Sequence, residues 1–563
     1  MDDRQRRVDQ VRGRSSELEN HLIDEYSAGK ITRREFVRRG TVVGMSFPLL
    51  SFLVSACGGG DGGGSAGATT NAGDTTGKAR AGGTIRTAIQ SPAGAIDPVT
   101  VGDEGGLAVL GQSGEYLTFS NHELELEPQL AESWEPNEDG SAWTFKLRQG
   151  VKYHDGATMT AEDVVATFDR LADPEVGSNA LSALGGVLSK GNTRAVDEQT
   201  VEFQLDAPNG GFPYLVSSDN YNAVILPASY DGDFEKTFNG TGPWKLERYQ
   251  PNVGVTFVKN PEYWAGGQPL ADRSEIKFYK EEQPRVLALQ GNQVDLLAHF
   301  SVSGGQAILN DDSLTIVELR SSVHRQIHMR TDKAPFDDKR VRQAMALALD
   351  RKALVDGLLG GKADVGNDSP FAPVYPFTDE SVEQREQDLE QAKQLISEAN
   401  AEGGSAQITT FRDFELPDLA VLIQNAAKEI GLDIRPNLLD QSAYYGDAVY
   451  GKSPWLDSVM GITDYGHRGV PNVFLVAPLT SKGTWNSAHF KNTEYDRLVS
   501  EYIAALDLDS QRSTAGEIQR LLLDETPIIF PYFYSYLFAA KNLTGMRETA
   551  MGHIDLRQAG QPA

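Results

Sequence analysis

Three segments of this chain alternate apolar and polar residues with a period of two. In residues 143–147, 201–205 and 253–257, a valine, leucine, phenylalanine or tryptophan occupies every second position. Successive side chains of a strand point to opposite faces, so this pattern predicts strands with one buried face.

Apolar residues at helical spacing lie between and after these strands. Thr160 with Asp163 three residues later has the N-cap signature that opens a helix, and Pro174 would end it. A longer stripe is predicted to run as one segment from Asp337 to the glycine pair at 360–361. Further stripes cover residues 389–399, 419–431, 495–506 and 513–525. The two patterns together predict a mixed α/β fold.

The first 57 residues have the organisation of an export signal. Arg33 and Arg34 lie in a basic segment, and residues 40–60 carry no charge. The apolar centre of that stretch is shorter than the roughly 20 residues that span a bilayer. The arginine pair resembles a twin-arginine export signal, and residues 54–57 resemble a lipoprotein cleavage box ending at Cys57. We therefore expect a signal peptide at 1–57 and lipid on Cys57.

A glycine-rich segment follows Cys57. Residues 58–83 contain 11 glycines, and small or polar residues fill most of the remainder, so no apolar face is available for a core. A coil of this kind has a reach of about 30 Å, from roughly 5–6 Å times the square root of its length. We predict a flexible tether between the membrane lipid and a globular body. The other interpretation of Cys57, a small buried hydrophobe, does not fit such neighbours.

The composition is that of a globular protein with an acidic surface. Hydrophobic residues make up 40% of the 563 residues, and the formal net charge is −27. A surface of this sign repels phosphate backbones, which argues against nucleic acid as a partner. The single cysteine allows no internal disulfide and no thiolate cluster. The length predicts two or three cores rather than one.

Motifs of known enzymatic sites are missing from the sequence. It has no nucleophile elbow, no His-Glu-x-x-His and no Walker loop. His324 and His328 have the spacing of two metal ligands, but only Glu318 is near enough in sequence to be a third. Residues 154–156, His-Asp-Gly, suit a tight turn better than an acid–base pair. We expect capture of a solute rather than catalysis, with no cofactor and no metal.

Several sequence blocks resemble the peptide/nickel family of solute-binding proteins that serve ABC importers, family 5. They occur in the order found in that family and cover most of residues 82–545. The blocks are LEPQLAESWEPNEDG at 126–140, WTFKLR at 143–148, HDG at 154–156, TAEDV at 160–164, GTGPW at 240–244, NPEYW at 260–264, PFDD at 335–338, VRQA at 341–344, DR at 350–351 and, within 486–498, EYDRL at 494–498.

The resemblance implies a two-lobed fold of the type II periplasmic-binding-protein kind, which closes over a solute. Lobe I would comprise residues 82–118, 223–333 and 528–563, with a subdomain inserted at 119–222, and lobe II would comprise residues 334–527. The chain would cross between the lobes near residues 328–333 and 526–532. A solute that touches both lobes favours the closed form, which an importer can distinguish from the open one.

The resemblance also implies a ligand site in lobe II. Peptide-binding members of the family use an aspartate to hold the α-ammonium group, and Asp464 falls at that position. Tyr465 follows it, Asn486 matches a pocket-lining position of some relatives, and Trp485 would offer a flat wall. A surface loop for Asp464, and simple packing for Trp485 and Asn486, are the competing interpretations.

Two departures from the family pattern affect this interpretation. Oligopeptide-binding relatives carry a tryptophan three residues before the aspartate and an arginine six residues before it. This chain has Gly461 and Ser458 there. The cavity would then be wider, or the ligand would lack a carboxylate at that point. The nearby pair His467 and Arg468 would supply compensating charge only if it is not simply a solvated loop.

These observations predict an extracytoplasmic, lipid-anchored monomer that captures a peptide or peptide-like solute and delivers it to an ABC permease of the cell membrane. One alternative keeps the fold and the transport role but assigns an oligosaccharide, an amino-acid derivative or a metal chelate as the ligand. A more distant alternative is an anchored hydrolase whose acidic residues have no recognisable spacing.

Overall fold

The computed structural model describes residues 78–446, 449–549, 551 and 554–563. Arg33, Arg34, Cys57 and nearly all of the predicted tether lie outside these residues. In chain order the strands are β1 (Thr84–Gln90), β2 (Thr118–Ser120), β3 (Leu126–Pro128), β4 (Ala131–Pro136), β5 (Ala142–Leu147), β6 (Thr193–Asp197), β7 (Thr200–Gln204), β8 (Trp244–Gln250), β9 (Gly254–Lys259), β10 (Arg273–Tyr279), β11 (Leu296–Leu297), β12 (Thr315–Leu319), β13 (His324–Met329), β14 (Ala363–Val365), β15 (Ser405–Phe411), β16 (Asp433–Leu439), β17 (Met460–Tyr465), β18 (Ile528–Ile529), β19 (Tyr532–Tyr534), β20 (Tyr536–Ala540), β21 (Arg547–Glu548) and β22 (Ile554–Asp555). The helices are α1 (Glu104–Ser113), α2 (Ala161–Leu171), α3 (Leu181–Leu184), α4 (Phe212–Leu215), α5 (Glu282–Gln290), α6 (Gln306–Leu309), α7 (Lys339–Leu347), α8 (Arg351–Leu359), α9 (Leu389–Glu398), α10 (Leu416–Glu429), α11 (Gln441–Tyr445), α12 (Pro454–Asp457), α13 (Asn472–Val476), α14 (Thr493–Ala504) and α15 (Leu508–Glu525).

Two seven-stranded sheets and one four-stranded sheet form the framework. The first sheet has the order β12-β20-β11-β1-β10-β9-β8. The second has the order β14-β19-β13-β17-β15-β16, with β18 also paired to β13. The four-stranded sheet, β4-β5-β7-β6, lies inside the predicted insert. Helices connect many of the strands and hairpins connect others, which gives the mixed α/β fold that the sequence predicts.

The period-two runs form strands, with one difference at a boundary. The runs at 143–147 and 201–205 fall in β5 and β7, where Phe145 and Phe203 are fully buried. Val253, however, lies in the turn before β9 and is 61% exposed. Its backbone N–H donates to the Gln250 carbonyl at 3.0 Å. Val253, which the alternation predicted as the first residue of the strand, is therefore the last residue of the β8–β9 turn.

The stripe predicted to run from Asp337 to Gly361 forms two helices, α7 and α8. Asp338 caps the first, because its side chain accepts a hydrogen bond from the Arg340 backbone. Asp350 caps the second in the same way, through the backbone N–H of Ala353 at 2.9 Å. An aspartate that caps a new helix ends the hydrogen-bond ladder of the preceding one, which the apolar spacing alone does not reveal.

The strand pairing puts the crossings between the two large sheets at different residues from those predicted. β12 belongs to the first sheet and β13 to the second, so the chain crosses at residues 320–323, here called the crossing segment. It returns at Ser535, between β19 and β20. The resemblance implied crossings near 328–333 and 526–532, but β13 pairs with β18 and β19 within the second sheet, and this pairing moves both crossings to the residues that flank those strands.

The insert packs against the helices that follow the second sheet. Phe212 and Tyr214 of the insert share one hydrophobic core with Tyr495 and Tyr502 of α14. The backbone N–H of Gly210 also donates to the Ile503 carbonyl at 3.0 Å. Because each large buried side chain stabilises the fold by roughly 1.5–3 kcal/mol, this contact couples the insert firmly to α14.

Candidate functional site

The first and second sheets meet where β19 is followed by β20. Only Ser535 separates these strands. Tyr534 and Tyr536 flank it, and their ring centroids lie 6.3 Å apart. Side chains from both sheets therefore converge around this tyrosine pair.

On the side of the second sheet, Asp464 of β17 lies opposite Arg325 of β13. Arg325 donates from Nη1 to Asp464 Oδ1, and from Nε and Nη2 to the Glu415 carboxylate at 2.8 and 3.0 Å. The Tyr534 hydroxyl donates to Asp464 at 3.0 Å. The side chain of Arg325 is 1% exposed, that of Glu415 14% and that of Asp464 24%. Asp464 is the member of this trio that a solute reaches most easily.

Burial and neighbouring charges act differently on the two carboxylates. Burial raises the pKa of Asp464; Arg325 opposes the rise and the Glu415 charge adds to it. Burial acts on Glu415 as well, but Arg325 and the Tyr532 hydroxyl, 2.7 Å away, bring the pKa of Glu415 below its ordinary value. Glu415 is the bidentate partner of Arg325 and Asp464 bonds the same guanidinium through Nη1, so the two ionised acids carry one negative charge that Arg325 does not compensate.

Helix α1, which follows β1 of the first sheet, contributes a third acid to the same junction. Glu104, in the first turn of α1, lies 2.7 Å from Nδ1 of His299. The His299 ring packs edge-on against Tyr536 with centroids 4.5 Å apart. The negative charge of Glu104 also contributes to the raised pKa of Asp464. Arg285 lines the cavity beside Glu104 and His299.

The charge arrangement suits a positively charged group. Asp464, Glu415 and Glu104 are three carboxylates facing the two guanidinium groups of Arg325 and Arg285. An ammonium group beside Asp464 would form a charge-assisted hydrogen bond and relieve the repulsion among the acids. The junction can therefore recognise an amine by both charge and hydrogen bonding.

Tyr465 and Trp485, two of the proposed site residues, lie in contact with each other. Neighbouring strand residues face opposite sides of a sheet. Tyr465 accordingly points away from Asp464, is 7% exposed and stacks on His324 with ring centroids 5.6 Å apart. Trp485 is half-buried and lies against Tyr465 at 6.0 Å. The Tyr465 ring therefore packs against Trp485, and Trp485 remains partly exposed to solvent.

The Asn486 side chain forms its hydrogen bonds within its own loop. Its side chain is 4% exposed. The amide Nδ2 donates to the carbonyls of Thr480 and Phe490 at 3.0 and 2.7 Å, and Oδ1 accepts from the Phe490 backbone at 2.9 Å. These bonds fix the loop that presents Trp485, so we assign Asn486 a positioning role in the proposed site.

The departure from the family pattern at Gly461 has a local cause. A Cβ at this position would lie 2.5 Å from the His328 ring and 3.0 Å from the Thr409 carbonyl. His328 pairs with Gly461 across β13 and β17, and its Nε2 lies 3.1 Å from the Ser458 carbonyl. The His328 ring occupies the space that a larger residue at 461 would need.

Replacing Gly461 with alanine should therefore destabilise the fold. We expect a loss of about 1–3 kcal/mol in the free energy of unfolding, which is typical of overpacking in a close-packed core. The comparison is Gly266→Ala, where an added Cβ meets no atom within 4 Å. The midpoints of urea unfolding of the two variants test this prediction. Equal midpoints would show that the His328 ring moves aside without a cost in stability.

His324 and His328 are buried in β13, at 0% and 1% exposure. Within the described ranges of the chain, no group of three or more histidine, cysteine, aspartate or glutamate side chains could hold a metal ion. Burial lowers the pKa of His324 to about 3 and that of His328 to about 4. Aromatic rings surround His324, among them Phe474 at 4.7 Å. Both imidazoles are uncharged core residues.

Arg325, Glu415, Tyr534 and Glu104 are the site residues that sequence reasoning missed. The sequence alone provides no signal for them, because the property that groups them is burial. All six residues of β13, including Arg325, are buried. A guanidinium in a central strand requires acidic partners, because an unpaired buried charge is too costly. The partners themselves, on α1 and before α10, carry no sequence signature.

Comparison with known proteins decides the family. A family profile described as bacterial extracellular solute-binding proteins, family 5, middle region, matches residues 125–470. The chain is a family 5 solute-binding protein. The resemblance found in the sequence blocks is thereby confirmed. So is the expectation that the chain is not an enzyme, because members of this family are binding proteins for transport.

Two curated relatives and one solved structure illustrate the similarity. The family 5 protein is 28% identical over 454 residues to "Heme-binding protein A" of Haemophilus influenzae, covering 75% of this chain and 81% of the relative. It is 26% identical over 461 residues to "Di/tripeptide-binding protein 2" of Pseudomonas aeruginosa, covering 76% and 85%. The periplasmic binding protein DppA of Helicobacter pylori, solved with the peptide STSA, superposes with a TM-score of 0.72 at 21% identity, covering 86% and 99%.

These comparisons confirm the two-lobed fold and the general role. Family 5 proteins act outside the cytoplasm, where they bind solutes for ABC importers. No helix in the described part of the family 5 protein is long and apolar enough to cross a membrane.

Proposed function

We propose that this family 5 protein captures a peptide or peptide-like solute through its amino group and delivers it to an ABC permease. The accessible Asp464 carboxylate carries the proposal, because Glu415 already neutralises Arg325 and leaves Asp464 without a full counter-charge. A desolvated ammonium–carboxylate pair is the strong, directional contact that such a site provides.

The surroundings of Asp464 support this assignment. Tyr534 and Tyr536 connect the two sheets, so a solute held at Asp464 lies between side chains of both lobes. Trp485 packs against Tyr465, whose ring faces away from Asp464, so Trp485 carries no part of the proposed amino-group contact. The named ligand of one curated relative, a di- or tripeptide, agrees with this chemistry.

The division into lobe I with its insert and lobe II also belongs to this proposal, with the boundaries between the lobes moved to residues 320–323 and to Ser535. So does anchoring of a monomer to the outer face of the membrane, which rests on the sequence of the N-terminal region. Arg33 and Arg34 would direct export, Cys57 would carry the lipid, and the segment 58–83 would tether the body. Mass spectrometry of the protein from its own export compartment measures both the processed N-terminus and any lipid on it.

The decisive experiment offers the purified full chain a mixture of di- to pentapeptides. We expect the melting temperature to rise, because a ligand at 100 times its Kd contributes about 2.7 kcal/mol of stability. The same mixture with acetylated amino groups is the control and should produce no rise. A clear rise with sugars or a metal chelate, and none with free peptides, would contradict the proposal.

A further inference from the structure

A second buried cluster lies away from Asp464 and joins three parts of the chain. Asp219 comes from the insert, Ser322 from the crossing segment, and His467 from the loop that follows β17. The three residues are 5%, 0% and 2% exposed. Serine, histidine and aspartate are the residue types of a nucleophilic triad, but a fully buried Ser322 is inaccessible to any substrate. The cluster therefore calls for a structural or regulatory explanation.

Hydrogen bonds fix the position of the proton on His467. Its Nδ1 accepts from the backbone N–H of Ser322 at 3.1 Å and lies 3.0 Å from the Ser322 hydroxyl. A nitrogen that accepts from a backbone N–H carries no proton, so the ring proton is on Nε2. That Nε2 lies 3.9 Å from Asp219 Oδ1. Burial and the Arg468 charge lower the pKa of His467 to about 3, so this ring stays neutral.

The same loop is fastened to the crossing segment at Arg468. The Ser322 hydroxyl donates to the Arg468 carbonyl at 2.9 Å and accepts from the Arg468 backbone N–H at 3.0 Å. The Tyr375 hydroxyl donates to the same carbonyl at 2.6 Å. Because this loop begins directly after β17, these bonds also fix the end of the strand that carries Asp464.

Asp219 is the member of this cluster with an unsatisfied polar atom. Among the described residues its Oδ2 has no hydrogen-bond partner. The position of Gly469 touches it so closely that an added Cβ would lie 1.7 Å from Oδ2. A buried carboxylate with an unpartnered oxygen is unfavourable when ionised and tolerable when protonated.

The groups that face Asp219 do not offset the free-energy cost of ionising its buried carboxylate. Burial raises the pKa of Asp219 to about 7, and the Ser120 hydroxyl and the Arg468 charge oppose the rise only in part. Tyr116 and Tyr375 are also close enough to feel the Asp219 charge, and burial raises the pKa of both, so they remain neutral. Arg468 itself lies over the Tyr221 ring at 5.3 Å.

We propose that Asp219, Ser322 and His467 form a proton-sensitive latch between the insert, the crossing segment and the loop after β17, and that loss of the Asp219 proton loosens it. In water an aspartate has a pKa of about 3.9. The latch is fully stable below that value, weakens as the pH rises towards about 7, and changes no further above it.

Hydrogen exchange at the backbone amides of Ser322 and Arg468 tests the latch in the ligand-free full chain. The chemical exchange rate itself depends on pH, so each measurement compares the wild type with Asp219→Asn at the same pH. At pH 4, close to the pKa of an aspartate in water, we expect protection in the two proteins to agree to within about two- to three-fold. At pH 8 we expect the wild type to exchange about ten-fold faster or more, because the neutral amide of the variant cannot ionise.

Two further variants make the result unambiguous. Gly469→Ala pushes the loop away from Asp219 and should expose these amides at every pH, whereas Asp233→Asn, an exposed aspartate, should behave as wild type. A wild-type to Asp219→Asn ratio that stays constant with pH would overturn the latch. None of these measurements uses a solute, so their outcome is independent of the proposed function.

Discussion

Replacing Asp464 with asparagine is expected to abolish capture of solutes with a free amino group. The substitution keeps the shape of the side chain but removes the uncompensated charge beside Arg325 and Tyr534. Truncating one partner of a buried charge pair typically costs 2–5 kcal/mol, so the Kd should rise by roughly 30-fold to several thousand-fold. Calorimetric titration of the wild type and the variant with a peptide that stabilises the wild type measures this change.

Asp312→Asn is the matched control for this experiment. Asp312 is exposed, and its loss should leave the Kd unchanged. Asp464→Asn must also keep the wild-type melting temperature in the absence of peptide to within a few degrees. Peptide binding of equal strength in Asp464→Asn and wild type would show that the amino group is held elsewhere.

Replacing Arg325 with methionine is expected to lower the free energy of unfolding more than replacing Gly461 with alanine does. Methionine fills much of the same space, but Glu415 and Asp464 would then be buried together without a positive partner. Breaking a buried ion pair in this way typically costs about 3–5 kcal/mol in the free energy of unfolding. The midpoint of urea unfolding at pH 7.5 measures the loss.

Two comparisons separate the charge effect from simple packing. Arg194→Met removes an exposed arginine paired with Glu202 and should cost no more than about 1 kcal/mol. The stability lost in Arg325→Met should also be smaller at pH 4. Without Arg325, burial raises the pKa values of the two acids, and both become protonated at that pH. A deficit that is the same at both pH values would mean that packing, not charge, is responsible.

Local pattern was sufficient where a segment's own residues decide its structure. The alternation at 143–147 and 201–205 forms β5 and β7 because one face of each is buried against its own core. Thr160 and Asp163 begin α2 as predicted, since the Asp163 carboxylate accepts from the Thr160 backbone at 2.8 Å. The break between α7 and α8 escaped prediction because Asp350 reads equally well as a helix residue or as a cap.

Of the proposed binding site, the sequence indicated Asp464 but not the residues that surround it. Asp464 was found through a resemblance, and its position at the junction of the sheets agrees with the proposed role. Tyr465 was placed beside it in sequence and therefore points to the opposite face of β17. Asn486 proved to be occupied by its own loop.

The sequence by itself determined the mixed α/β class, the family, the acidic surface and the candidate export and lipidation signals, because each depends on residue type and local order. Only the tertiary structure decided which sheet each strand joins, where the chain crosses between sheets, and that Arg325 stands between Glu415 and Asp464. Glu415 and Asp464 lie 90 and 139 positions away from Arg325 in the sequence. Contacts over such separations arise from strand pairing and burial, and no local pattern of amino acids encodes them.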